Sequence, residues 1–232
     1  MDRQAMGLTL TANGFVPAVR PGVLAAAATR PVARGHVALT FDDGPSAGTG
    51  VVLNILAETR ARATFFFVGG GVEADWRYAS RAALAGHAIG NHSYSHPDLA
   101  AIPLKDAAVE LGRTQTAITR YTGAVPVIGR PPFGSANEDV VMLFREYGVE
   151  PVLWAFNPDD GAGQAAAAIG AAILGAVRDG DIVLLHCAQR ETQRMLPELI
   201  TGLRGRGLEP GRIEITGEYQ ERNHSYARAV AW

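Results

Sequence analysis

"HVALTFDDGP", His36–Pro45, is a short apolar run that ends in two carboxylates, a glycine and a proline. A run this brief, built from Val, Leu, Thr and Phe, has the character of a strand buried in a parallel sheet. The same pattern recurs along the chain in "ATFFFVG" (63–69), "HAIGNH" (87–92), "VPVIGRPP" (125–132), "PVLWAFN" (151–157), "DIVLLH" (181–186) and "RIEIT" (212–216). Helical patterns lie between these runs. The clearest covers Leu104–Thr122, where Leu104, Ala108, Leu111 and Ile118 fall on one face. Gly86, Gly123, Gly148 and Gly180 each stand between a helix and the next strand, where a left-handed C-cap is expected. Seven strands alternating with helices predict one barrel-like β/α domain spanning residues 36–216 rather than two domains.

In parallel β/α architectures the chemistry gathers at the C-terminal ends of the strands. The polar residues that interrupt the apolar pattern fall there: "FDDGP", "NHSYSH", "RPPFG", "NPDDG" and "LLHC". Asp42 and Asp43 read either as part of an ordinary Asp-Gly-Pro turn or as paired carboxylates that need a cation or an arginine beside them. His92 and His96, four positions apart, suit one metal ion together with an aspartate, since imidazole nitrogen and carboxylate oxygen are good ligands for a Zn²⁺-like ion. Two polar residues in a turn are the plainer reading of that pair. His186, closing its strand, is either a hydrogen-bonded core residue or a general acid facing the metal. Arg130, before two prolines that stiffen the loop, is either a surface arginine or part of the same site.

Bulk properties narrow the classes. The chain has 232 residues, enough to bury a sizeable core, and 47% of them are hydrophobic. A formal net charge of −2 gives no reason to expect nucleic acid as a partner. No apolar run approaches the ~20 residues of a membrane span. The single cysteine, Cys187, excludes an internal disulfide and a Cys-rich zinc site. Residues 1–35 are rich in Ala, Pro, Arg and Gly and suggest an extended strap; 217–232 suggest a loose tail, where a second "NHSY" lacks its second histidine. Asn13, Pro17, Arg20 and Pro21 interrupt any export signal in the first segment, so a cytoplasmic address is favoured.

Taken in order, "TFDDGP", "ATFFFVG", "GHAIGNHSYSHPDL", "RPPFG" and "LLH" resemble the polysaccharide deacetylases (carbohydrate esterase family four) from about His36 to about Gly207. In look the chain is nearest to the bacterial acetylxylan esterase and chitooligosaccharide deacetylase branch. The resemblance implies a distorted (β/α) barrel and a metal-dependent hydrolase. By matching position it implies Asp43, His92 and His96 as ligands of one divalent ion, Zn²⁺ first and Co²⁺ or Ni²⁺ as alternatives. It implies Asp42 as general base, Arg130 as its ion-pair partner and His186 as general acid. Asp160 would tune His186, the Phe133 N–H would bind the oxyanion, and Leu184 would line the pocket for the acetyl methyl.

Four positions depart from the family pattern, the first being Phe133, where tyrosine is usual. Asn157 stands where an aspartate is usual, and Gly161 replaces a tryptophan that walls the groove; Asp159, beside Asp160, is an alternative partner for His186. Cys187 follows His186 where aspartate is common, and is expected to be a small buried thiol. Three functions follow: a deacetylase of an N-acetylated amino sugar or O-acetylated carbohydrate, an intracellular deacylase of a small N-acyl compound, and a carbohydrate-binding relic. The expected partner is therefore a carbohydrate or small N-acyl substrate, with neither nucleic acid nor membrane.

Overall fold

A computed structural model describes residues 35–214 and two short strands, β1 (Leu8–Thr11) and β2 (Gly14–Pro17), which pair antiparallel. The rest of the expected N-terminal strap, and the whole C-terminal tail, lie outside the described residues. The body of the fold is a seven-stranded, all-parallel sheet. Its strands are β3 (His36–Gly44), β4 (Thr64–Phe67), β5 (Ala88–Asn91), β6 (Ile128–Gly129), β7 (Glu150–Pro151), β8 (Ile182–His186) and β9 (Glu209–Gly211). They run β7-β6-β5-β4-β3-β8, with β9 on the first three residues of β3.

The helices are α1 (Ala47–Thr59), α2 (Gly69–Ala74), α3 (Trp76–Leu84), α4 (Leu104–Thr122), α5 (Glu138–Glu146), α6 (Ala166–Ala176) and α7 (Arg190–Gly205). Side-chain alternation along each strand sorts the core into two faces. Leu39, Phe41, Phe65, Phe67, Val183 and Leu185 point outward into the cluster shared with Leu53, Leu56, Leu196 and Leu199 of the helices. Ala38, Phe66, Ile128, Val152 and Ile182 point inward and fill the centre of the curled sheet.

The sheet closes through the segment after β7. Its first residues pair with β6, but Phe156 bridges to Val183 of β8, and the Phe156 carbonyl accepts from the Leu184 N–H at 3.0 Å. The expected seven-residue strand over 151–157 is therefore two contacts to two different neighbours, with an unladdered stretch between. The expected strand at 125–132 likewise shrinks to Ile128–Gly129, and the last strand lies at 209–211, earlier than 212–216.

On α4 the bounds match the expectation, but its apolar face is rotated. Leu104 is 47% exposed, and Ala107, Leu111, Thr114, Ala117 and Ile118 are the buried set. The stripe read from Leu104 keeps Leu111 and Ile118 but misses Ala107, Thr114 and Ala117, which turn toward the core in its place. Gly86, Gly123 and Gly148 hold positive φ just past the ends of α3, α4 and α5, as expected of C-caps; Gly180 also holds positive φ, but in the turn before β8, since α6 ends at Ala176 with an extended Val177.

One buried polar group sits far from the strand rims. His87 Nδ1 accepts the Ala63 N–H at 3.2 Å, and the ring meets Phe65 edge-on. A nitrogen that accepts cannot also carry a proton, so the folded ring is neutral. Burial, with Arg62, Arg212 and Arg81 nearby, lowers its pKa from 6.5 to about 4. Because folding depresses this pKa, the contribution is whole above pH 6.5 and fades as pH falls toward 4. His87→Asn keeps an acceptor and removes the titration. Between about pH 7.5 and about pH 4.5, urea unfolding of the wild type should lose about 2 kcal/mol more than that of the variant.

Candidate active site

Strand ends β3, β5, β6 and β8 bring the polar residues together, and a bulge lets β3 supply two of them. Between Phe41↔Phe65 and Gly44↔Phe67 the chain advances three residues on β3 against two on β4. Asp43 is the residue that absorbs the excess, at φ 67. In a regular strand Asp42 and Asp43 would face opposite sides of the sheet; the bulge turns both carboxylates to one mouth. Gly44 follows because an added Cβ would lie 2.8 Å from Thr49 Oγ1 and 2.9 Å from the Phe67 ring.

Asp42 is buried and forms an ion pair with Arg130, whose Nη1 donates to Oδ1 at 2.8 Å. Arg130 is 0% exposed, so the surface reading of this residue is wrong. Its guanidinium also donates to Thr40 Oγ1 (2.8 Å), the Val152 carbonyl (3.1 Å) and the Leu153 carbonyl (3.0 Å). It lies 4.1 Å from the centre of the Phe66 ring. The carbonyls it satisfies belong to the unladdered stretch that closes the sheet.

Asp43 Oδ1 stands 3.3 Å from His92 Nε2 and 3.1 Å from His96 Nε2. The other ring nitrogen of His92 decides what belongs between them. His92 Nδ1 lies 2.6 Å from the Arg130 carbonyl, which can only accept, so Nδ1 carries the proton. In the neutral ring Nε2 then presents a lone pair to the oxygens of Asp43 and, at 3.7 Å, of Asp42. Facing carboxylate oxygens, that nitrogen must either carry a proton or share a cation with them. Burial raises the Asp43 pKa, but His92, His96 and His186 outweigh it and hold the carboxyl well below its ordinary range. The ligand atoms of Asp43, His92 and His96 lie within 4.8 Å of one another. Two imidazoles and a carboxylate suit one divalent ion with positions left for water, and the Nδ1–H to carbonyl bond is the outer support such a histidine commonly has.

Across from the histidines is His186, the register partner of Asp42 on the adjacent strand. Asp160, not Asp159, is its partner: Asp160 Oδ1 is 2.7 Å from His186 Nδ1, and Oδ2 accepts the His186 N–H at 2.8 Å and the Thr192 hydroxyl at 2.6 Å. Burial lowers the His186 pKa, yet the hydrogen bond to Asp160 and three neighbouring carboxylates raise it above the ordinary value. Asn157 instead accepts the Asp159 N–H, and Asp159 holds φ 57. Leu184 is buried two residues before His186 on the inward face. Phe133 sits at the rim, 70% exposed at φ 60, its ring edge-on to His96 at 4.7 Å. Cys187 is buried, and burial pushes its thiol up to about 12.

All nine expected site residues thus lie around one mouth. The sequence reading missed Thr40 and Thr192. Thr40 was within reach, since it precedes Asp42 by two and must share its face; nothing near Thr192 marked it.

A curled parallel sheet whose rim carries two carboxylates, two facing histidines and a supported third histidine defines a β/α barrel scaffold with a candidate cation site. The family model for polysaccharide deacetylases matches residues 29–152. The chain is 39% identical over 152 residues to a chitooligosaccharide deacetylase of Rhizobium leguminosarum bv. trifolii, covering 65% of this chain and 71% of that one. It is 34% identical over 185 residues to a peptidoglycan-N-acetylglucosamine deacetylase of Listeria monocytogenes, covering 79% of this chain but 39% of that protein's length. The solved family 4 carbohydrate esterase of Streptomyces lividans, in complex with acetate, superposes with a TM-score of 0.74 at 33% identity, over 76% of this chain and 92% of that one. This chain belongs to the polysaccharide deacetylase family. Among the described residues no helix is long and apolar enough to cross a membrane.

Removing Arg130 should be costly out of proportion to its size. Arg130→Met leaves the Asp42 charge buried without its partner, along with two carbonyls and a hydroxyl. We expect a loss of about 3–5 kcal/mol in chemical denaturation, partly restored in Arg130→Met/Asp42→Asn, where no charge remains to be matched.

Proposed function

We propose that this protein is a metal-dependent hydrolase that removes an acetyl group from an N-acetylated amino sugar or an O-acetylated carbohydrate. The observation that carries the reading is the placement of Asp42 and His186 as register partners flanking the Asp43–His92–His96 group. Oppositely biased environments suit a base and an acid in one site: Asp42 is paired with a guanidinium, and His186 is backed by a buried carboxylate. The similar proteins described above, which include a chitooligosaccharide deacetylase and a peptidoglycan-N-acetylglucosamine deacetylase, support the same substrate class.

Asp43, His92 and His96 would hold the ion, with zinc the best match to a donor set of two imidazoles and one carboxylate. When bound, such an ion lowers the pKa of water and polarises a carbonyl. Asp42, ion-paired with Arg130, takes a proton from the attacking water as the water oxygen bonds to the acetyl carbon. The Phe133 N–H donates to the oxygen that becomes negative. His186, held protonated by Asp160, gives its proton to the departing nitrogen or oxygen as the carbon–heteroatom bond breaks. Acetate and a free amine or alcohol are the products. Leu184 offers an apolar surface to the methyl group.

Stripping the ion with a chelator should abolish turnover, and adding Zn²⁺ or Co²⁺ should restore it; full activity in metal-free protein would overturn the reading. Asp42→Asn should keep the metal and lower kcat by about 10³-fold. His186→Ala should keep the metal too and slow amide substrates more than acetyl esters, because an alkoxide leaves more readily than an amide anion.

A second reading, an intracellular deacylase of a small N-acyl compound, is favoured by Gly161. This residue is exposed, and a Cβ built there would meet only the Gln189 side chain, at 3.6 Å. An indole at that position would add roughly 200 Å² of aromatic wall that the groove now lacks. N-acetylglucosamine oligomers, acetylated xylan, aryl acetates and non-sugar N-acyl amines, assayed on wild type and Gly161→Trp, separate the two. The second reading predicts weak polymer turnover that rises in the variant. Strong wild-type activity on the polymers that falls in the variant would leave the first standing alone.

A further inference from the structure

His92 and His96 sit on a segment that belongs to no helix or strand, and two of its residues, Ser93 (φ 62) and His96 (φ 63), hold left-handed backbone. Each such residue costs about 1 kcal/mol or more relative to ordinary backbone. A short polar loop has no apolar side chain of its own to keep it in that shape. Something outside it must.

Following its backbone groups one at a time identifies the source. The Ser93 N–H donates to Asn91 Oδ1 at 3.0 Å, and the His96 N–H to Ser93 Oγ at 3.1 Å. The two N–H groups between them, of Tyr94 and Ser95, both donate to Glu110 Oε2, at 2.8 and 2.7 Å. The Ser95 hydroxyl donates to the second oxygen, Glu110 Oε1, at 2.8 Å. On the opposite side, the carbonyls of Ser93 and Tyr94 accept the N–H groups of Gly69 and Gly70, each at 2.9 Å. A side chain at 69 would collide with Thr114 Oγ1 (2.7 Å) and the Tyr94 ring (2.8 Å), so this approach needs glycine. The loop is held between the start of α2 and one carboxylate on α4.

We infer that Glu110 is the positioning residue of the metal centre. It fixes the 93–96 loop in the conformation that aims both Nε2 atoms at Asp43, and so presets the site for its ion. A carboxylate is the side chain this task requires. It accepts at both oxygens, whereas glutamine offers one acceptor and turns an NH₂ toward donors. Glu110 touches neither the ion nor the substrate; it acts through the loop. The inference rests on the reading of Asp43, His92 and His96 as ligands.

The test is Co²⁺ titration of metal-free wild type, Glu110→Ala, Glu110→Gln and Glu110→Asp, followed by the visible absorption of bound Co²⁺. Glu73→Gln is the control: Glu73 accepts the Tyr94 hydroxyl at 2.6 Å but no backbone group of the loop. Glu110→Ala should weaken Co²⁺ binding by about 10–100-fold and alter the spectrum, as loss of an outer support does elsewhere. Glu110→Gln should fall between, Glu110→Asp should recover part of the loss, and Glu73→Gln should bind as wild type. A purely structural role would lower the melting midpoint of the metal-free protein and leave affinity and spectrum alone; that result overturns the inference. If Glu110→Ala does not fold, Glu110→Gln decides by the same two readouts. No Co²⁺ binding by the wild type would instead sink the ligand assignment, which is a different failure.

Discussion

The rest of the site depends on the buried pair of Arg130 and Asp42. A guanidinium with no exposure is tolerable only when its donors are taken, and four different oxygens take them: a carboxylate, a hydroxyl and two carbonyls. The two carbonyls come from the stretch between β7 and Phe156, where the sheet changes partner and its own ladder is interrupted. The same side chain that pairs with Asp42 therefore also closes the barrel. Closure in turn brings Asp160 beside His186, because Asp160 lies just beyond the bridge that ties Phe156 to β8. The positions of Asp42 and His186 thus follow from one structural decision.

Strain is distributed in keeping with this. Of the non-glycine residues with positive φ among those described, Asp43, Ser93, His96, Phe133 and Asp159 border the mouth, and Arg60 alone caps a distant helix. Left-handed backbone at five places around one opening is unfavourable locally and persists because the packed sheet beneath over-determines it. The bulge at Asp43 is the plainest case. It converts a strand's alternation into two carboxylates on one side, one buried against arginine and one half-exposed toward the histidines.

Much of this was legible in the chain. Strand positions in β3, β4, β5 and β8 follow from short apolar runs, since both faces of those strands are covered and the run is uninterrupted. The polar breaks at their ends marked Asp42, Asp43, His92, His96 and His186 directly. Periodicity failed where an element is not ladder-like: β6 and β7 keep two residues each because the chain there turns from one neighbour to another. It also failed for Arg130, whose burial depends on carbonyls more than twenty residues away. Glu110 and Thr192 were invisible for the same reason. Their roles lie in contacts across the fold, and an acidic or hydroxyl residue on a helix looks solvated until its partners are known.

The reaction is more narrowly defined by these residues than the substrate is, and the reason is where each kind of group resides. Asp42, Asp43 and His186 stand at the ends of strands whose registers the core enforces, and His92 and His96 follow on a loop pinned by Glu110. The groups that would touch a sugar ring lie on the rim: Phe133, with its ring in solvent, and Gly161 with Gln189 as its neighbour. One side of the mouth thus presents an aromatic face beside His96, and the other the Gln189 amide beside a glycine. A flat polymer gripped on two aromatic walls would find only one here. A ligand that stacks on one face and meets an amide on the other would find both of its contacts. On the proposed reading, the asymmetry of the rim therefore bears on which substrate is taken, and the strand-end residues bear on the chemistry.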